Sequence, residues 1–427
     1  MKVAFCTLGC KVNQYESQSM EQSLIKRGFE CVGASEEADV YIVNSCTVTA
    51  ESDRKTRQNV RHLKKLHPDA VIVLTGCMPQ AFPEDARLLT QADIVTGNRS
   101  NKQIPDMIDE FFRTRERIVR IAQHENGEKF SGELINDFRE RTRATVKIED
   151  GCNRFCSYCV IPYARGRVRS KPLEDIREEI SSLEKKGFSE IVLVGINLSA
   201  YGTDCGASIC DAVELAASFD GIKRVRLGSL EPDHMTPEVT KRLAECKKLC
   251  PQFHISLQSG CDKTLKRMNR HYTVAEYEEL CTRLRSEFED TTLTTDVMVG
   301  FSGETKEDFE ISRDFVKKIG FEKVHVFPYS RRTGTRAAEF PDVVENAEKE
   351  RRSREMIAAA GEVRHEFLER QIGRTVEVLF EEKLRDGSIQ GYTANYTPVR
   401  IKSGCTHGLR KVKITACGDD WCEGELI

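Results

Sequence analysis

The 427-residue sequence predicts an α/β protein in three parts, and three observations carry that reading. Over residues 1–115, short apolar runs alternate with polar, helix-forming stretches, the pattern of an open parallel sheet. From 138 to 370 the alternation resumes through six strand–helix units, as in a partial (βα)6 barrel with a connecting helix. After a long charged helix at roughly 343–371, residues 372–427 switch to short β-rich runs with turns at DG, SG and HG. That switch reads as a small β-barrel.

In the first part, KVAFCTLGC, VYIVNSC and AVIVLTGC are three strands, each ending in a cysteine: Cys10, Cys46 and Cys77. Ligands of open parallel sheets bind beyond the carboxyl ends of the strands. Three cysteines more than thirty residues apart therefore land on one sheet edge, where converging thiolates make a metal site. Residues 116–137 are polar, lack periodicity and read as a linker.

The second part has strands at ATVKIED, EIVLVGIN, RVRLGSL, FHISLQS, TLTTDVMVGF and KVHVFPYS. Their ends carry polar residues or glycine: Glu149, Asp150, Gly195, Asn197, Ser229, Glu231, Gln258, Ser259, Asp296, Gly300 and Tyr329. Any one of them could cap a helix, but the set is that of a lined cavity at the carboxyl face of a barrel.

After the first of these strands comes C-x₃-C-x₂-C, with Cys152, Cys156 and Cys159 in GCNRFCSYC. Three thiolates on one tight loop can hold three irons of a 4Fe–4S cube and leave the fourth open to a small molecule. Zinc would want a fourth ligand or a histidine, and none lies near this loop. Cys405, Cys417 and Cys422 also lack a fourth ligand.

Seventeen cysteines in a chain of this length point to metal or redox chemistry, because disulfide frameworks belong to small secreted proteins. No apolar run approaches 18 residues, and the opening MKVAFCTLGCKVNQYES is too short an apolar run for a signal peptide. A cytoplasmic protein with no membrane partner is expected. Net charge is −3, so only local basic clusters speak for nucleic acid. They are Arg54, Lys55, Arg57, Arg61, Lys64 and Lys65 on one helix; Arg165, Arg167, Arg169 and Lys171 after the cysteine loop; and Arg331, Arg332 and Arg336. Arg400, Lys402, Arg410, Lys411 and Lys413 alternate beside Tyr392 and Tyr396, which suits RNA contacts or ordinary surface strands.

The loop CNRFCSYC leading into a partial βα barrel resembles the radical S-adenosylmethionine enzymes. Along the whole chain, LGCKVNQYES, VNSCTVT, LTGCMPQ, KIEDGCNRFCSYCVIP, RLGSLEP, HISLQSG and TDVMVGFSGET are similar to the methylthiotransferases. Those proteins order a three-cysteine domain, a radical domain and a C-terminal TRAM domain. Within the family, GCKVNQYES resembles the branch acting on N6-threonylcarbamoyladenosine in tRNA. The isopentenyladenosine branch tends to read GCQMN there and the ribosomal-protein branch GCxKN. In GINLSAYG, Ile196 replaces the glutamine typical of the isopentenyladenosine branch.

The resemblance implies two 4Fe–4S clusters and two S-adenosylmethionine molecules per turnover. The open iron at Cys152, Cys156 and Cys159 would chelate the cofactor, whose cleavage gives a 5′-deoxyadenosyl radical. Tyr158 would lie along its adenine, and Gly195, Asn197, Ser229, Glu231, Gln258 and Asp296 are the strand-end groups expected to hold the rest. Cys10, Cys46 and Cys77 would hold an auxiliary cluster carrying the sulfur that is inserted at C2 of the adenosine at position 37. Both clusters must face one cavity, so the strand-end edge of 1–115 is expected to cover the barrel mouth. The TRAM-like module and the helix at 54–65 would grip the tRNA anticodon arm while the modified nucleotide swings inward. An external electron donor and a sulfur source complete the expected partners. Three alternatives stay open: methylthiolation of a ribosomal protein, methylthiolation of isopentenyladenosine in tRNA, and a non-catalytic iron–sulfur RNA-binding regulator.

Overall fold

The computed structural model describes residues 1–132, 134, 135, 142–404 and 408–427. The end of the linker, the opening of the second part before 142, and Cys405 lie outside the described residues.

The first part is a six-stranded, all-parallel sheet in the order Glu30–Val32, Lys2–Thr7, Val40–Ser45, Val71–Gly76, Ile94–Thr96, Ile118–Arg120. Strands 40–45 and 71–76 are buried along their whole length, because helices cover both faces. Val40, Ile42, Val71 and Val73 pack with Met20, Leu24, Met107 and Ile108 on one face. Tyr41, Val43, Ile72 and Leu74 pack with Val60 on the other.

The second part has parallel strands in two sheets, three in one and four in the other: Arg224–Leu227, Glu190–Val194, Arg143–Lys147, and Ser229–Leu230, Gln252–Ile255, Thr292–Val299, Lys323–Pro328. RVRLGSL yields two short strands, and the break at Gly228 passes the pairing from 190–194 to 252–255. Side chains alternate between faces with period two. Ala144, Val146, Ile191, Leu193, Val225, Leu227, Phe253, Ile255, Leu293 and Val297 form the outer face and share one core with the surrounding helices. The register then sets Arg143, Glu190, Arg226, His254, Asp296 and His325 on the inner face. A closed barrel fills its interior with branched apolar side chains; this open one has a charged lumen.

Five strands close the C-terminal barrel: Thr375–Lys383, Ile389–Thr393, Pro398–Ile401, Cys422–Leu426 and Gly408–Cys417. This module closes the lumen from the strands' amino-terminal end. Thr292 Oγ1 donates to the Asn395 carbonyl (2.6 Å), Arg226 to Ala394 (3.1 Å) and Arg224 to Glu377 (3.0 Å). Tyr392 and Tyr396, which the sequence offered to RNA, stack on each other at 4.5 Å, with the Arg143 guanidinium over both rings and Arg226 over Tyr396. They belong to this internal joint.

The first part docks on the opposite end. Val12, in the first turn of helix Lys11–Lys26, packs on Val192, Val194 and Ile196 of the inner barrel face. Burying it contributes about 2 kcal/mol. Tyr15 donates to Glu179 Oε1 (3.0 Å), Asn98 Nδ2 to the Ala164 carbonyl (2.7 Å), and the amide of Ala50 to Ser330 Oγ (2.9 Å). Arg332 is buried against Asp53 at 2.5 Å and Thr47 at 2.8 Å, and Arg331 donates to the Ala338 carbonyl. Arg165, Arg169 and Lys171 are buried too. Arg165 and Arg332 are therefore spent on contacts with the first domain and Lys171 on Glu179, whereas Arg167, Arg331 and Arg336 stay exposed. The cluster with the most exposed cations is the helix Ala50–Leu66, where Arg54, Lys55, Arg61 and Lys65 face solvent.

Candidate active site

Strands 2–7, 40–45 and 71–76 are adjacent and parallel, so Cys10, Cys46 and Cys77 follow three neighbouring strand ends. The loops are pressed together. A Cβ at Gly9, whose φ is +110°, would stand 2.8 Å from the Cβ of Cys46 and 3.2 Å from its Sγ. Asn13 fixes the Cys10 loop by donating to the carbonyls of Leu8 (3.1 Å) and Ser45 (2.9 Å), while accepting from Cys10 Sγ at 3.5 Å.

Cys152, Cys156 and Cys159 lie on the loop between strand Glu149–Asp150 and helix Ile161–Arg165. Gly151, with φ +89°, is the only residue type that fits before Cys152: a Cβ there would sit 2.0 Å from the Arg167 carbonyl oxygen. Gly151→Ala is expected to displace the loop and lower the iron content of reconstituted protein by about four per chain. Colorimetric iron analysis measures this.

Each triad meets an arginine. Arg165 is fully buried; its Nε donates to Cys77 Sγ (3.2 Å), and Nη2 reaches Asn13 Oδ1 and Glu16 Oε2, both at 3.0 Å. Helix 161–165 thus ties the second triad's loop to the first triad. Glu16 also accepts from Lys147 (2.8 Å), which reaches Asp150 at 2.8 Å. Arg270 Nη1 donates to Cys156 Sγ (3.3 Å), and the same guanidinium pairs with Glu231 and lies over Tyr272. Burial pushes the thiols of Cys77 and Cys152 up to about 12, and that of Cys159 up as well. Thiols held so high give up their protons when metal binds, and the neighbouring guanidinium offsets the resulting negative charge.

Around the second triad, buried polar atoms lack partners among the described residues: Glu149 Oε1, Asn197 Oδ1 and Gln258 Oε1. Asn197 Nδ2 lies 3.8 Å from Cys152 Sγ, and the Asn197 amide donates to Glu149 Oε2 (2.7 Å). Gly195 makes room for that carboxylate, since a Cβ would stand 2.6 Å from it. Gln258 is held at φ +64° by two backbone bonds with strand 292–299. Orphaned acceptors beside three clustered thiols suit a small polar cofactor with amine and hydroxyl groups. Tyr158 packs edge-on to Phe301 at 6.3 Å, one ring in a patch with Met268, Met298 and Tyr329. Ser229 is exposed. Asp296 sits in mid-strand, not at its end, with Oδ2 3.3 Å from His254 Nε2 and the His325 ring tilted over His254 at 5.9 Å. Arg270 and the role of Arg165 escaped the sequence reading. An arginine six residues after Cys159, in YARGR, was the available signal.

Residues 2–97 match the uncharacterized protein family UPF0004, and residues 146–316 match the radical SAM superfamily. The threonylcarbamoyladenosine tRNA methylthiotransferase MtaB of Bacillus subtilis is 36% identical, over 100% of this chain and 96% of its own length. The tRNA-2-methylthio-N(6)-dimethylallyladenosine synthase of Carboxydothermus hydrogenoformans is also 36% identical, over 99% and 98%. In fold, the chain is similar to TsrM, a radical S-adenosylmethionine methyltransferase from Kitasatospora setae solved with cobalamin and a [4Fe-4S] cluster. The TM-score is 0.56 at 14% identity, covering 77% of this chain and 72% of that one. Among the described residues no helix is long and apolar enough to cross a membrane. With relatives of this identity over its whole length, the chain belongs to the radical SAM tRNA methylthiotransferase family.

Proposed function

We propose that this enzyme converts N6-threonylcarbamoyladenosine at position 37 of tRNA into its 2-methylthio derivative. The observation that carries the reading is that two cysteine triads, on separate domains, are tied together by Arg165 at one end of a charged lumen. Cys152, Cys156 and Cys159 would hold one 4Fe–4S cluster, and Cys10, Cys46 and Cys77 the other. Bound there, the clusters and two molecules of S-adenosylmethionine supply the radical and the methylthio group.

The chain's own residues do the rest. Glu149, Asn197 and Gln258 would take up the polar groups of the cofactor, and Tyr158 would lie along its adenine. Arg270 orients the Glu231 carboxylate while offsetting charge at Cys156. The first domain over one end of the lumen and the C-terminal barrel over the other restrict water where a radical is used. The exposed cations Arg54, Lys55, Arg61 and Lys65 would hold the anticodon arm together with the TRAM-like barrel. An external electron donor and a sulfur source are required, and the cytoplasm, where tRNA is processed, is the expected site of action.

The test is reconstitution: protein loaded anaerobically with iron and sulfide, S-adenosylmethionine, a reductant, and tRNA bearing N6-threonylcarbamoyladenosine. Nucleoside mass spectrometry should show the 2-methylthio product. Product only from dimethylallyladenosine tRNA, or only on a ribosomal protein, would replace this reading.

A further inference from the structure

The lumen floor is a balanced set of charges. Arg226 pairs with Glu190 at 3.0 Å, Arg143 with Glu381 at 2.5 Å, and Arg224 with Glu377 at 3.1 Å. Higher up, Asp296 faces His254 and His325. Among the described residues, Lys11 is a cation outside these pairs. Lys11 follows Cys10 directly and opens the helix whose next residue, Val12, packs on the inner barrel face. Its side chain is exposed, and among the described residues it makes no hydrogen bond or ion pair. The charged groups that act on it are those of the floor: Tyr396, Arg143, Arg226 and Glu190. Its exposed side chain leaves the helix turn that seats Val12 on the inner barrel face, so it stands at the end of the lumen opposite those groups.

Tyr396 faces it from the C-terminal barrel. This residue sits at φ +69°, a conformation that non-glycine residues seldom adopt, at a turn held by the Thr393, Asn395 and Thr397 side chains. Burial raises its phenol, but Arg143, Lys11 and Arg226 outweigh burial and hold it below the usual value. The lumen thus has a surplus positive charge and a phenolic donor, in a site that would otherwise be electrically closed.

We infer that Lys11, with Tyr396 beneath it, is the subsite for an anionic N6 substituent of the substrate base, and so the residue that selects a carboxylate-bearing adenosine. The inference rests on the proposed substrate: the threonylcarbamoyl arm ends in one carboxylate, whereas a dimethylallyl arm has no charge and would strand the ammonium without a partner. Overall identity cannot make this choice, since relatives of both classes reach 36%. Lys11 touches substrate and determines specificity; no bond is made or broken at it.

The experiment uses two synthetic anticodon stem-loops, one with N6-threonylcarbamoyladenosine and one with its carboxylate reduced to the alcohol. Reconstituted full-length wild type, Lys11→Gln and Lys11→Arg are compared by kcat/KM for methylthio product and by Kd from fluorescence anisotropy. Wild type should favour the carboxylate about ten- to a hundredfold, the range of a hydrogen bond to a charged group. Lys11→Gln should bring the ratio close to one, and Lys11→Arg should restore part of it. Iron per chain and cluster absorbance should not change, which separates the effect from damage at the adjacent Cys10. A wild-type ratio retained by Lys11→Gln overturns the proposal, as does an equal loss on both stem-loops, which marks a structural role. If wild type modifies neither stem-loop, the proposed substrate fails, and the Kd ratio alone then decides the subsite: a ratio of one overturns it.

Discussion

Cys77→Ala is expected to abolish methylthiolation of tRNA while cleavage of S-adenosylmethionine under reducing conditions continues. Cys77 is buried at the end of the strand Val71–Gly76, in the first domain, and its Sγ meets Arg165 rather than any residue of the loop 152–159. Removing it takes a ligand from one triad only, so iron should fall from about eight to about four per chain. Cys152→Ala gives the converse pattern, in which cleavage is lost as well. Product nucleosides and released 5′-deoxyadenosine are read from the same reaction by mass spectrometry. If Cys77→Ala stops cleavage too, the two triads do not divide the work between them.

Arg165→Ala is the second large effect. This guanidinium is 0% exposed and serves Glu16, Asn13 and Cys77 at once. Without it, Glu16 stays buried, with Lys147, already shared with Asp150, as its one remaining cation among the described residues. Breaking a buried pair by removing one partner costs about 3–5 kcal/mol. The loss falls on the joint between domains, so thermal unfolding should move down and split into two transitions. Differential scanning calorimetry measures this. A Glu16→Leu, Arg165→Met double variant should recover much of the stability, because an apolar replacement of both partners removes the stranded charge. It should not recover the iron at Cys77, which lacks its guanidinium in both proteins.

Much of the architecture was legible because it is written in short periods. Every apolar run that reads as a strand in the first two parts forms strand, RVRLGSL as two, and the three cysteines of residues 1–115 follow adjacent parallel strands as the βα pattern requires. The stretch 116–137 that reads as a linker instead holds the edge strand Ile118–Arg120, too short for periodicity to show. The C-terminal runs form a closed barrel. Composition gave no guide to which charges are paired across domains. Arg165 and Arg332 read as surface cations because each stands among other basic residues, and only the docking of the first domain buries them. Tyr392 and Tyr396 were misread for the same reason: aromatic–cation alternation looks alike whether it faces RNA or Arg143 of another domain. Asp296 looked like a strand-end ligand in TDVMVGF, but strand 292–299 continues three residues beyond it, which brings it opposite His325. The polar lumen was hidden because its charged residues are scattered over separate strands, and their common face emerges only from the register.

The most direct test of the central claim, that the two triads together methylthiolate N6-threonylcarbamoyladenosine in tRNA, is nucleoside mass spectrometry on tRNA from cells lacking this gene. 2-Methylthio-N6-threonylcarbamoyladenosine should be absent and its unmethylthiolated precursor retained. The wild-type gene should restore the product, and Cys77→Ala and Cys152→Ala should each fail to. Persistence of the product in the deletion strain, with no second enzyme present, would contradict the account.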